Sequence, residues 1–81
     1  MLKVGLTGLL RSAADGLSVV EVEADTIREL LARLVERYPS MSAHLEEGIA
    51  VSIDGQIYRD NWGTVIPEGS EVFLMPRIQG G

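Results

Sequence analysis

The stretch Thr26-Ile27-Arg28-Glu29-Leu30-Leu31-Ala32-Arg33-Leu34-Val35-Glu36-Arg37-Tyr38-Pro39 decides the fold, because every other element needs it as a partner. Ile27, Leu30, Leu31, Leu34, Val35 and Tyr38 recur at helical spacing, which predicts a helix with one apolar stripe. Thr26, followed three residues later by Glu29, makes a capping box at its start, with Asp25 as an alternative cap. Glu29 and Arg33 lie four apart and are expected to pair weakly on the wet face. Pro39 disfavours helical geometry at Tyr38 and stops the element. A single apolar stripe needs a sheet to lie on.

Upstream, Leu2, Val4 and Leu6 alternate with Lys3, Gly5 and Thr7, a half-buried first strand. Gly8 to Gly16 reads as a polar-centred connection ending in Asp15-Gly16, a strong turn signal. From Ser18 to Ala24 the alternation resumes, with Val20 and Val22 on one face and Glu21 and Glu23 on the other. Two strands joined so closely are expected to form an antiparallel hairpin.

Downstream, Ser40 to Gly48 reads as a loose segment. Ile49 to Ile53, then Asp54-Gly55, then Gln56-Ile57-Tyr58 predict a second hairpin. Arg59 to Thr64 is a further connection, and Pro67 and Gly69 suit the second and fourth places of a type I turn. In the last strand Val72 and Leu74 share one face and Phe73 and Met75 the other. Pro76 lacks an N–H, so pairing is expected to end there.

One helix cannot cover both faces of a sheet. The fold class is therefore an α+β roll, a mixed sheet with one main helix packed across one face. A right-handed crossover brings a later strand parallel to the first. This arrangement is the β-grasp, or ubiquitin-like, fold. Residues 1–76 are expected to form the domain and 77–81 a tail that is mobile in the free protein. The tail ends in Gly80-Gly81. At an average glycine usage of about 7%, two glycines in the last two places arise by chance at only about 0.5%. Without a Cβ they can thread a narrow channel in another molecule, whereas the bland reading is a frayed end.

Composition narrows the function. Eighty-one residues make one modest domain. There is no cysteine, which removes disulfides, thiolate nucleophiles and cysteine metal sites. A formal charge of −5 argues against a nucleic-acid surface and permits a partner with a basic docking face. No eighteen-residue apolar run is present to span a membrane, and the N-terminus is no signal peptide, so the expected location is cytoplasmic.

Few side chains suggest self-contained catalysis. His44, the single histidine, is expected to be an exposed loop residue and not a metal ligand. The adjacent Glu46 and Glu47, and the outward pair Glu21 and Glu23, read as solvated charge. Trp62 is either packed on the sheet or a partner contact. If Val72 and Leu74 face the helix, Phe73 and Met75 point outward beside the tail, and Ile57 joins them from a neighbouring strand. Such a cluster suggests docking; under the opposite facing these residues are core.

The run Ile66-Pro67-Glu68-Gly69-Ser70-Glu71-Val72, an apolar strand, and then Pro76-x-Ile78-x-Gly80-Gly81 resembles the ubiquitin-like sulfur carriers. Within that family the chain looks most like the small subunit of molybdopterin synthase (MoaD), with the thiamine-pathway carrier (ThiS) more distant. The resemblance spans the chain in length and element order, and its specific motif lies in the C-terminal third. It implies the same fold and a defined chemistry. An E1-like adenylating enzyme uses ATP to activate the terminal glycine, a sulfur donor displaces AMP, and a C-terminal thiocarboxylate remains. The tail then enters the large subunit of the synthase, or another sulfur-accepting enzyme, and delivers its sulfur. Mapped by the resemblance, Gly81 carries the sulfur, and Gly80, Gln79, Ile78 and Arg77 form the inserting tail. No cofactor is bound by the carrier itself. Thr7 departs from the family, whose members often present an apolar residue near that place on the first strand. Carriers for cysteine, thiamine or tRNA thiolation need the same tail, as does a ubiquitin-like protein modifier. Thiamine carriers are typically shorter, with a tighter first turn.

Overall fold

The computed structural model describes residues 1–76. Eight elements follow in the order β1 (Leu2–Leu6), α1 (Leu9–Ala13), β2 (Val19–Val22), α2 (Ile27–Arg37), α3 (Met41–Glu47), β3 (Ile49–Ile53), β4 (Gln56–Tyr58) and β5 (Glu71–Pro76). The strands form one mixed sheet in the order β2-β1-β5-β3-β4. β1 and β2 run antiparallel, as do β3 and β4, so both expected hairpins are present. β5, last in the chain, lies between them, parallel to β1 and antiparallel to β3. Helices cover one face, and the fold is the β-grasp.

α2 is anchored at both ends. Of its first N–H groups, which have no partner within the helix, Ile27 donates to the Thr64 carbonyl at 3.1 Å and Arg28 to that of Trp62 at 2.8 Å. Glu29 donates its N–H to Thr26 Oγ1 at 3.2 Å, which makes Thr26 the cap. The Glu29 carboxylate turns back to accept the Asp25 N–H at 3.1 Å, one residue before the usual capping-box partner. That contact takes the place of the expected Glu29–Arg33 pairing. At the other end Tyr38 N–H closes on the Leu34 carbonyl at 2.7 Å, and Pro39 stops the helix. Ile27, Leu30, Leu31 and Leu34 are buried with Val4, Val20, Val22, Val51, Val72 and Leu74 in one core. Val35 and Tyr38 lie at its margin, half-buried. Trp62 also packs on this core, which decides between its two readings.

Three local expectations need correction. The Gly8 to Gly16 connection contains α1, with Leu10 fully buried, while the Asp15-Gly16 turn follows it. The Ser40 to Gly48 segment is not loose but holds α3, which buries Met41. His44 is accordingly a half-buried helical residue and not an exposed loop residue. Elements of five and seven residues show at most two turns of pattern, too little for periodicity to register. Third, the turn before β5 is shifted by one residue. The Ser70 N–H bonds the Pro67 carbonyl at 3.1 Å, which puts Gly69, at φ +84°, in the third place, where a type II turn requires positive φ.

The β3–β4 turn behaves as read: Asp54 and Gly55 both take positive φ, as a type I′ hairpin demands. Asp54 also ties this hairpin to β5, accepting the Glu71 N–H on Oδ1 at 2.9 Å and donating its own N–H to the Glu71 carbonyl at 2.8 Å. At the opposite edge, Arg37 of α2 donates to the Glu21 carbonyl of β2 at 2.6 Å, which occupies a backbone group that an edge strand leaves open.

Leu34 is fully buried at the centre of the α2 stripe. Leu34→Ala is expected to cost about 2–5 kcal/mol, read from urea unfolding midpoints. A loss below about 0.5 kcal/mol is the size of a surface change and would contradict this packing.

Candidate docking face and tail root

The alternation of β5 divides its side chains between two jobs. Val72 and Leu74, each 1% exposed, sit in the core beneath α2. Phe73 and Met75 therefore face away from the helices; Phe73 is 39% exposed and Met75 half-buried. Register then sets their neighbours. Phe73 lies opposite Gly5 on β1 and Ser52 on β3, and Ser52 lies opposite Ile57 on β4. Gly5 in turn pairs with Val19 on β2. A single uncharged row, Val19-Gly5-Phe73-Ser52-Ile57, thus crosses all five strands, with Val19 and Ile57 each about half exposed. Met75, opposite Ala50, begins the next row towards the end of β5.

The structure brings together the three residues singled out from sequence: Phe73, Met75 and Ile57 share the outer face, with Ser52 between Phe73 and Ile57. Sequence reasoning missed Val19 and Gly5. Val19 stands beside Val20 at a strand start, and its place in the row follows from register alone. On the far side of the row, Lys3 lies opposite Glu21 and Glu71, a charged border with net negative sign.

At the tail root the Leu74 carbonyl accepts twice from Thr7, from its N–H and from its hydroxyl, each at 3.2 Å. A carbonyl oxygen has two lone pairs, so both bonds can form. The residue that departs from the family pattern therefore closes the β1–β5 ladder. Next to it Gly8, at φ +57°, lies against the Pro76 ring; a Cβ there would stand 3.5 Å from Pro76 Cγ. Pro76 itself ends β5, opposite Ile49. The tail residues Arg77, Ile78, Gln79, Gly80 and Gly81 lie outside the described residues.

Other candidate chemistry does not assemble. Among the described residues no three His, Asp or Glu side chains converge as metal ligands. Glu21, Glu23, Glu46 and Glu47 are all exposed. No helix among the described residues is long and apolar enough to cross a membrane.

The ThiS family model matches residues 4–81. The chain belongs to the ThiS family, the ubiquitin-like sulfur carriers. No curated protein sequence matches it. This ThiS-family chain is similar in fold to several solved structures. One is in the BexX/CysO complex of Amycolatopsis orientalis, with TM-score 0.81, 19% identity and full coverage of both chains. Another is small archaeal modifier protein 1 from Methanosarcina acetivorans, with TM-score 0.81 and 22% identity, covering 99% of this chain and 95% of that one. A third is in the complex of subunits 1 and 2 of the molybdopterin-converting factor from Helicobacter pylori 26695, with TM-score 0.69 and 19% identity, covering 99% and 97%. At these identities the likeness is one of fold.

If Phe73 faces solvent, Phe73→Asp leaves the core intact. Its melting temperature is expected to fall by less than about 8 °C, the shift of roughly 1 kcal/mol in a domain of this size. Leu74→Asp, which buries a charge, is expected not to fold. Unfolding of Phe73→Asp in a thermal melt would make Phe73 core and remove the docking face.

Proposed function

We propose that this chain is the sulfur-carrying small subunit of a molybdopterin synthase, working in the cytoplasm on molybdenum-cofactor synthesis. The observation that carries the reading is the position of the apolar outer face. Phe73 and Met75 belong to the same strand that ends at Pro76, so a partner docked on them receives the Arg77–Gly81 tail directly. Five extended residues reach about 16–18 Å, enough to bring the Gly81 carbonyl into a buried pocket of that partner.

The chemistry follows from the carboxylate. An α-carboxyl with pKa about 3.5 is ionised at neutral pH and is a poor electrophile. An E1-like adenylating enzyme overcomes this with ATP: a Gly81 carboxylate oxygen attacks the α-phosphorus and pyrophosphate leaves. Sulfide-level sulfur, supplied by the donor as hydrosulfide, then attacks the carbonyl carbon and loses its proton, and AMP departs with the oxygen that sulfur replaces. With no cysteine in the chain, the thiocarboxylate is the place where sulfur can ride. Gly81 is the carrier, Gly80 provides clearance, and Gln79, Ile78 and Arg77 lead the tail into the large subunit. ATP belongs to the activating partner, and the carrier is a protein cosubstrate. Two fold neighbours occur in complexes, BexX/CysO and the two-subunit molybdopterin-converting factor, which supports a protein partner here as well.

A second reading is favoured by the likeness to small archaeal modifier protein 1. In it, Gly81 is joined to lysines by an isopeptide bond, with the same activation and a different acceptor. The CysO likeness supports a carrier for a different sulfur acceptor by the same logic.

Incubation with ATP, the adenylating enzyme of the same organism and a sulfur donor is expected to replace one terminal oxygen by sulfur, visible by intact mass. Removing Gly81, or adding one residue after it, is expected to abolish the product with folding unchanged. Gly80→Leu is expected to fold but enter the partner poorly. Sulfur transfer by the chain lacking Gly81 would sink the carrier mechanism. A product found on protein lysines and not on a pterin precursor would move the assignment to the modifier class.

A further inference from the structure

Gly5 occupies a strand position where its backbone does not require glycine. It lies in the middle of β1, and its φ is not in the positive region that Gly8, Gly16, Gly48, Gly55 and Gly69 adopt. What excludes a side chain is the Phe73 ring. A Cβ on Gly5 would stand 2.4 Å from Phe73 Cδ1 and 2.5 Å from Cε1, inside any real contact distance. The ring therefore lies down on the bare backbone of β1, which is why Gly5 is buried although it faces outward. Phe73 is 39% exposed, so a Cβ at position 5 has an escape: the ring lifts away from the sheet while Val72 and Leu74 stay in place.

We infer that Gly5 is a positioning residue for partner recognition: by laying Phe73 flat it makes the uncharged row from Val19 to Ile57 a level surface. This deepens the docking reading above and rests on it. The occupant is the adenylating enzyme, presenting a flat apolar centre with Lys or Arg on the side that meets Glu21 and Glu71. Charge complementarity argues for that rim, since Lys3 is outnumbered by the two glutamates beside it and the chain carries a net charge of −5. A lifted ring would stand proud of the sheet and hold the two surfaces apart.

The test measures binding of the full chain to the adenylating enzyme by calorimetry without ATP, together with thiocarboxylate formation and thermal melting. Gly5→Ala is expected to weaken binding at least about tenfold and to raise KM similarly, with kcat at saturating carrier unchanged because the tail is untouched. In a Phe73→Leu background, where no ring covers position 5, the same alanine is expected to add less than about twofold. A role confined to stability would instead lower the melting temperature and leave KM of the folded protein alone. Unchanged affinity of Gly5→Ala, or its full effect in the Phe73→Leu background, overturns the inference while the carrier reading stands. Failure of the wild-type chain to bind overturns both. Should Gly5→Ala not fold, the wild-type chain is followed by NMR during titration with the enzyme. The Gly5, Val19 and Ile57 resonances are then expected to shift together, and a stationary Gly5 with shifts elsewhere counts against the proposal.

Discussion

Everything in this molecule depends on the last strand being a central one. β5 is flanked by β1 on one side and β3 on the other, so both hairpins are held together through it. Its pairing with β1 joins residues from opposite ends of the chain, and the parallel geometry requires the intervening helices and hairpin to act as the crossover. Val72 and Leu74 insert into the core under α2. A terminus that begins from such a strand leaves from a support paired on both sides.

The same strand separates core from surface by side-chain parity. Successive residues point to opposite faces, so Val72 and Leu74 can serve the core while Phe73 and Met75 serve the surface, with no compromise at any one position. The surrounding structure keeps that outer face level and available. Ser52 and Gly5 are small neighbours of Phe73, and Arg37 covers part of the β2 edge instead of competing for the face. The charged border at Lys3, Glu21 and Glu71 limits the apolar area to one row and its margin.

Closure of the domain at the end away from Pro76 depends on the polar groups at the start of α2. The loop around Trp62 supplies carbonyls to the first N–H groups of the helix, while the Trp62 side chain rests on the core. A loop with little regular structure is thereby fastened by groups that would otherwise cost free energy if buried unpaired. The bridge between Thr26 and Val65 continues that attachment towards β5.

Local pattern was enough for the strands, the long helix and its cap, because alternation and a 3.6-residue stripe are properties of consecutive residues. For the tail, the sequence supplied the Gly80-Gly81 motif and its resemblance to the sulfur carriers, and the proposed role of Gly81 comes from that resemblance. Short α1 and α3 escaped, since Leu10 and Met41 each mark a buried face with barely a turn of support. The facing of β5 was open between two readings, of which the outward one for Phe73 and Met75 is the one observed. Period two says that Phe73 and Val72 lie on opposite faces but not which face meets α2, and a slip of one residue in register would exchange them. Folding settled it by pairing Val4 with Val72 and Val51 with Leu74, so that the aliphatic residues of three strands meet one helix. Gly5 was the least legible of all. In sequence it is a neutral place in an alternation, and the Phe73 ring that gives it a purpose is supplied by a strand at the other end of the chain.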